Sequence, residues 1–133
     1  MTDIRDITIP ALAYLGDCVI EKCVRTYLVR ERGLSTSARL NRASLDFVRA
    51  SAQSDAMTRI EPVLTETEGV YYRRGRNTGH SNVPKSASVG EYRRATGMEV
   101  LFGYLSLSGQ EARIDELFRI GYCLDADTTQ QDS

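Results

Sequence analysis

Residues 11–32, ALAYLGDCVIEKCVRTYLVRER, decide the fold class, because their apolar members return at steps of three and four. Leu12, Leu15, Val19, Cys23 and Tyr27 fall on one side, with Arg25, Arg30 and Glu31 on the other. That is the period of an amphipathic helix, not the alternation of a strand. Pro10 suits the first turn, where a missing N–H costs nothing, and Gly33 suits the end. Gly16 in the middle is a weakness of about 1 kcal/mol relative to Ala unless another group has to approach closely. It immediately precedes Asp17.

The rest of the chain repeats the helical signal. Between Thr36 and Ile60, Leu40, Ala43, Phe47, Val48, Ala50 and Met57 form a broken apolar stripe that predicts a short helix followed by a longer one. Three pairs have capping-box spacing: Thr65 with Glu68, Ser88 with Glu91, and Ser108 with Glu111. They predict helices from Glu66 to about Arg74, from about Val89 to Leu107, and onward from Ser108 with Ile114, Leu117, Phe118 and Gly121 on one face. Residues 75–87 are dense in Gly, Asn, Ser and Pro and predict a long exposed loop. No alternating apolar pattern or internal repeat occurs, so the expected architecture is an all-α helical bundle.

A chain of 133 residues with 41% apolar content is the size of one core, expected over residues 1–125 with a disordered polar tail from 126 to 133. Three cysteines, Cys18, Cys23 and Cys123, are too few for a disulfide framework and read as reduced core residues. No apolar run approaches the roughly 18 residues a membrane span needs, so a cytosolic protein without a membrane partner is expected. The net charge of −1 announces no polyanion, but it is unevenly spread. Arg73, Arg74, Arg76 and Lys85 crowd one segment, while Asp115, Glu116, Asp125 and Asp127 gather near the C-terminus.

Two carboxylates stand out chemically. Asp17 and Glu99 are each the only acid in an apolar helical run, 11–20 and 96–105 respectively. An unpaired buried carboxylate costs several kcal/mol, so each should be protonated, paired with a cation or holding a metal. If the two helices cross, the acids converge on a site of hard oxygen ligands, which Mg²⁺ prefers. The alternative is a pair of structural salt bridges, Asp17 with a nearby Arg and Glu99 with Arg93 or Arg94; residue types alone balance the two evenly. Glu21 lies one helical turn beyond Asp17, yet Arg25 lies one turn beyond Glu21, which favours an ordinary surface pair.

The segment Tyr71-Tyr72-Arg73-Arg74-Gly75-Arg76-Asn77 mixes aromatic, cationic and amide groups suited to phosphate and ribose contact on a mobile loop. A solvated surface loop with incidental charge is the plainer reading of four cations. His80, the only histidine, reads as a solvated residue, which leaves triad chemistry unsupported.

Three segments together resemble the ribonuclease III catalytic domain, in its mini-ribonuclease III branch without an appended double-stranded-RNA-binding domain. They are ALAYLGD at 11–17, RGRN at 74–77 with Pro84-Lys85, and YRRATGMEVLFGYL at 92–105. The resemblance spans roughly residues 8 to 122. It implies a dimeric all-α helical bundle that uses Mg²⁺, with Mn²⁺ as a substitute, to cut both strands of an RNA duplex and leave 5′-phosphate and 3′-hydroxyl ends. Precursor large-subunit ribosomal RNA is the implied substrate, with room for an accessory ribosomal protein.

The family's catalytic and metal-binding acids match Asp17 and Glu99, and RNA contacts carry over to Arg73, Arg74, Arg76, Asn77, Lys85, Gln53, Tyr92 and Arg93. Longer relatives have two further acids, where this chain has Pro10 and Thr96. The helix around Phe102 and Tyr104 resembles the family's dimer-forming element, and the sequence also admits a buried core helix there. A homodimer would present two centres related by a two-fold axis, one for each strand. The rival is a non-catalytic helical double-stranded-RNA-binding or ribosome-associated module, which Pro10 and Thr96 favour. A third reading, a nucleotide hydrolase, lacks the histidine-rich ligands such enzymes often carry.

Overall fold

A computed structural model describes residues 2–78 and 88–124; among them lie six α-helices, two 3-10 turns at Ile4–Asp6 and Glu61–Val63, and no strand. Helix α1 (Ile9–Arg30) starts two residues before the apolar period does. The Thr8 hydroxyl accepts the Ala11 N–H at 3.2 Å, and Pro10 occupies the first turn. Helices α2 (Ser37–Val48) and α3 (Ala50–Ile60) are nearly equal in length, unlike the expected short and long pair. They separate at Arg49, whose ψ of 148° is extended.

The Thr65 capping box forms in both directions, the Glu68 N–H donating to the hydroxyl at 3.2 Å and the Thr65 N–H to Glu68 at 2.9 Å. It opens α4, which runs over Glu66–Asn77, three residues past the predicted end. Arg76 and Asn77 therefore join Arg73 and Arg74 on a helix, which corrects the reading of this basic segment as a mobile loop. Gly75 explains the extension: a Cβ there would lie 2.7 Å from Val100 Cγ2 and 2.9 Å from Gly97 Cα. Tertiary packing thus keeps this turn helical through a residue that reads locally as a breaker.

Helix α5 (Val89–Leu107), opened by the Ser88–Glu91 capping box, is the centre of the fold and packs on α1, α3, α4 and α6. Met98, Val100, Leu101, Phe102 and Leu105 are wholly buried within one chain. Phe102 is therefore part of the core of one chain, while Tyr104 on the same helix is half-buried.

The third capping box does not form. The Ser108 hydroxyl instead donates back to the carbonyls of Tyr104 (2.9 Å) and Leu105 (3.2 Å), and Gly109 turns the chain at φ +72°. Helix α6 (Glu111–Gly121) then lays Ile114, Leu117 and Phe118 into the core. Gly121 lets it settle against Ala56 and Ile60 of α3.

One hydrophobic cluster draws on all six helices. A satellite cluster of Leu12, Tyr71 and Val100 lies beneath Ile4, Ile7 and Ile9 at the N-terminus. Glu68 is 3% exposed and takes two hydrogen bonds from Arg113, at 2.8 and 2.9 Å, which fasten α4 to α6. All three cysteines are free thiols, but only Cys23 packs against the core; Cys18 and Cys123 are exposed, contrary to expectation. Among the described residues no helix is long and apolar enough to cross a membrane. The tail from 126 to 133 lies outside the described residues.

Candidate active site

The site begins with how closely α1 and α5 pack. A Cβ built on Gly16 would overlap the backbone carbonyl of Glu99, and one built on Gly103 would overlap the carbonyl of Leu12. The helices therefore touch backbone to backbone at one glycine from each, and the pairing of Gly16 with Glu99 and of Leu12 with Gly103 sets them antiparallel there. Asp17 follows Gly16 in sequence, so the crossing that presses Gly16 onto Glu99 also presents Asp17 to the Glu99 side chain. The Asp17 carboxyl comes close enough to Glu99 to act on its proton.

Asp17 is exposed and Glu99 is half-buried. Burial pushes the Glu99 carboxyl up to about 8, with the neighbouring charge of Asp17 and the hydrogen bond between them adding to the effect. Such a group is held as an acid at neutral pH in the absence of a cation. No ion pair joins either carboxyl to an arginine among the described residues. Arg94 donates to the Thr58 hydroxyl at 3.0 Å, and Arg93 is exposed. Glu21 pairs with Arg25 at 2.8 Å, as its spacing indicated.

No group of three or more His, Cys, Asp or Glu suited to a metal occurs among the described residues. Any cation would thus be held by two carboxylates and completed by water and substrate, a set that fits Mg²⁺, which usually takes one or two protein carboxylates. Neither position of the missing acids contributes. Pro10 is exposed in the first turn of α1, and the Thr96 hydroxyl donates to the Tyr92 carbonyl at 3.0 Å along its own helix.

The last turn of α4 lies against α5 at Gly97, two residues before Glu99, and so brings the arginines to the same stretch of α5. Arg73 and Arg74 are exposed. Arg74 lies 6.0 Å from the Tyr71 ring centroid and Arg76 lies 5.6 Å from that of Tyr72, while Arg76 Nε donates to Asn77 at 3.2 Å. Tyr71 in turn stacks on Tyr104 of α5 with centroids 4.1 Å apart. The cations are thus seated on aromatic groups anchored to the core.

Tyr92 is half-buried. Gln53 is 4% exposed on α3. Lys85 and His80 lie outside the described residues. Sequence reasoning missed Gly103 altogether, although its place in an apolar helix, like that of Gly16, was the available signal.

The Ribonuclease III domain profile matches residues 10–110, which include both acids and the crossing glycines. The chain belongs to the ribonuclease III family. Curated relatives place it among endoribonucleases of the mini-ribonuclease III type. The Mini-ribonuclease 3 of Clostridium tetani is 34% identical over 130 residues, covering 98% of this chain and 86% of the relative. That of Symbiobacterium thermophilum is 44% identical over 115 residues, covering 85% and 88%. A crystal structure of a Fusobacterium nucleatum protein superposes with a TM-score of 0.78 at 32% identity, covering 90% of this chain and 96% of that one.

Proposed function

We propose that this ribonuclease III family member is a Mg²⁺-dependent endoribonuclease of double-stranded RNA that matures precursor ribosomal RNA in the cytoplasm. The observation that carries the reading is the Asp17–Glu99 pair, brought together where α1 and α5 touch at Gly16 and Gly103. When bound, Mg²⁺, or Mn²⁺ in its place, supplies positive charge against the scissile phosphate and lowers the pKa of an attacking water. Asp17 and Glu99 would hold the cation, Glu99 as its carboxylate. Water adds to phosphorus as the bond to the 3′-oxygen breaks, leaving a 5′-phosphate and a 3′-hydroxyl.

The remaining residues hold substrate. Arg73, Arg74 and Arg76 contact the phosphate backbone, and Asn77, Tyr92, Arg93 and Lys85 add further contacts, in a grip that follows A-form shape more than sequence. Two cuts on opposite strands call for a homodimer. Tyr14, 85% exposed and one turn before Asp17, is the side chain best suited to lie in its interface, now that Phe102 is accounted for in the core.

The deciding experiment incubates duplex RNA with protein in Mg²⁺ or in EDTA, beside the Asp17→Asn variant. Cleavage by the wild type in Mg²⁺ alone, lost in the variant while its circular dichroism is kept, is expected. A shifted but intact band in Mg²⁺ would mean a non-catalytic RNA-binding module, and cleavage at the normal rate by Asp17→Asn would displace the centre.

A further inference from the structure

We infer that Gly16 and Gly103 are positioning residues for the reaction, because the glycine crossing fixes the gap between the two carboxylates. The inference rests on the Asp17–Glu99 reading above. Two carboxyls on neighbouring helices meet only if the helix axes come close enough for one Asp and one Glu to span what remains. Here the backbones themselves are in contact. A Cβ on Gly103 would stand 2.1 Å from the Leu12 carbonyl oxygen and 3.2 Å from Gly16 N, and one on Gly16 would lie 1.6 Å from the Glu99 carbonyl oxygen. In both cases the first atom met is backbone, which cannot swing aside as a side chain can.

Gly121 differs in this respect. A Cβ on Gly121 would meet the side chains of Ile60 at 2.7 Å and Ala56 at 3.1 Å, away from both acids. Gly16 and Gly103, by contrast, bracket Glu99 in space, and Gly16 adjoins Asp17 in sequence. A methyl at Gly103 has to move from 2.1 Å to about 3.4 Å before it makes ordinary contact, so α1 and α5 must open there by about 1.3 Å. One methylene adds about the same reach, roughly 1.3 Å, to a carboxylate. Asp at 17 is thus matched to the glycine spacing, and Glu would match the widened one.

The test is a double-mutant cycle with Gly103→Ala and Asp17→Glu, read by single-turnover cleavage of duplex RNA and by the rise in Tm that Mg²⁺ or Mn²⁺ alone produces. Gly121→Ala serves as a control for general destabilisation. Gly103→Ala should lower the single-turnover rate on the order of 100-fold, as expected for misplacement by about 1 Å, and should abolish the metal-induced Tm rise. Gly121→Ala should keep both even if it melts earlier.

Asp17→Glu alone should also lose about 100-fold, and adding it to Gly103→Ala should recover at least tenfold with return of the metal response. Additive losses in the double variant would overturn the inference. If Gly103→Ala does not fold, Asp17→Glu in the intact crossing decides, since near-normal activity there would show that the gap is not fixed. A wild type that neither cleaves nor responds to metal would sink the parent reading instead.

Discussion

Replacing Glu99 by Gln should stabilise the metal-free protein at neutral pH while removing its activity. The Glu99 carboxyl is raised from an ordinary 4.5 to about 8, by burial first and by Asp17 second. The folded state therefore holds a proton that the unfolded chain has released anywhere between pH 4.5 and 8, so stability falls as pH rises through that window and levels off above it. At about 1.4 kcal/mol per tenfold change, the full effect above pH 8 is on the order of 5 kcal/mol, and at pH 7 on the order of 3 kcal/mol.

Solvent access to Asp17 and part of Glu99 screens some of this, leaving about 2 kcal/mol at pH 7, or a Tm rise of very roughly 8 °C for a domain of this size. Gln keeps the shape, can donate to Asp17 and does not titrate. Urea unfolding of both proteins in EDTA at pH 4, 7 and 8.5 checks this: the stability gap should be near zero at pH 4, clear at pH 7 and largest at 8.5. Saturating Mg²⁺ should narrow the gap by stabilising the wild type more. A gap independent of pH, or a Glu99→Gln variant less stable than wild type at pH 7 in EDTA, would refute the assignment of Glu99 as a protonated partner of Asp17.

Three further outcomes are expected. Replacing Arg73, Arg74 and Arg76 together by Ala should weaken duplex binding and reduce the slope of log K against log salt by about 2 to 3, since fewer counterions are released; an unchanged slope in a filter-binding titration would remove α4 from the RNA surface. Glu68→Gln leaves Arg113 without its buried partner and should cost about 2–4 kcal/mol by denaturant unfolding. Because Arg113 holds the Glu68 carboxyl below its ordinary range, that contribution should fade in the wild type as pH drops into the acid range, and a loss under about 0.5 kcal/mol at pH 7 would contradict the packing. Glu21→Gln, which removes an exposed pair with Arg25, should change stability by about 0.5 kcal/mol or less and leave cleavage intact; loss of cleavage would mean that Glu21 belongs to the centre.

How far the sequence could be read depended on whether a signal was local. Thr65 with Glu68 and Ser88 with Glu91 formed their boxes because each needs only one turn of its own helix. Ser108 with Glu111 has the same spacing and failed, because the Ser108 hydroxyl was already spent on the end of α5 and Gly109 took the left-handed turn. A capping pattern that follows directly on another helix is thus ambiguous between stopping the first and starting the second. Gly75 was misread for a related reason: as a local feature it ends a helix, but against Gly97 and Val100 it is what allows α4 to continue.

Asp17 and Glu99 were legible as misplaced acids because the cost of a carboxylate in an apolar run is a property of that run alone. Their partnership was not, since it is carried by two glycines 87 positions apart in a chain whose sequence shows only that each weakens its own helix. The two kinds of oddity explain each other once the helices are together. An apolar helix that tolerates a glycine gives up propensity there, and the return is a backbone contact close enough to bring the acid beside it up to a second acid on the other helix. Gly16-Asp17 on α1 therefore reads as one unit, and it has meaning only opposite Glu99 and Gly103.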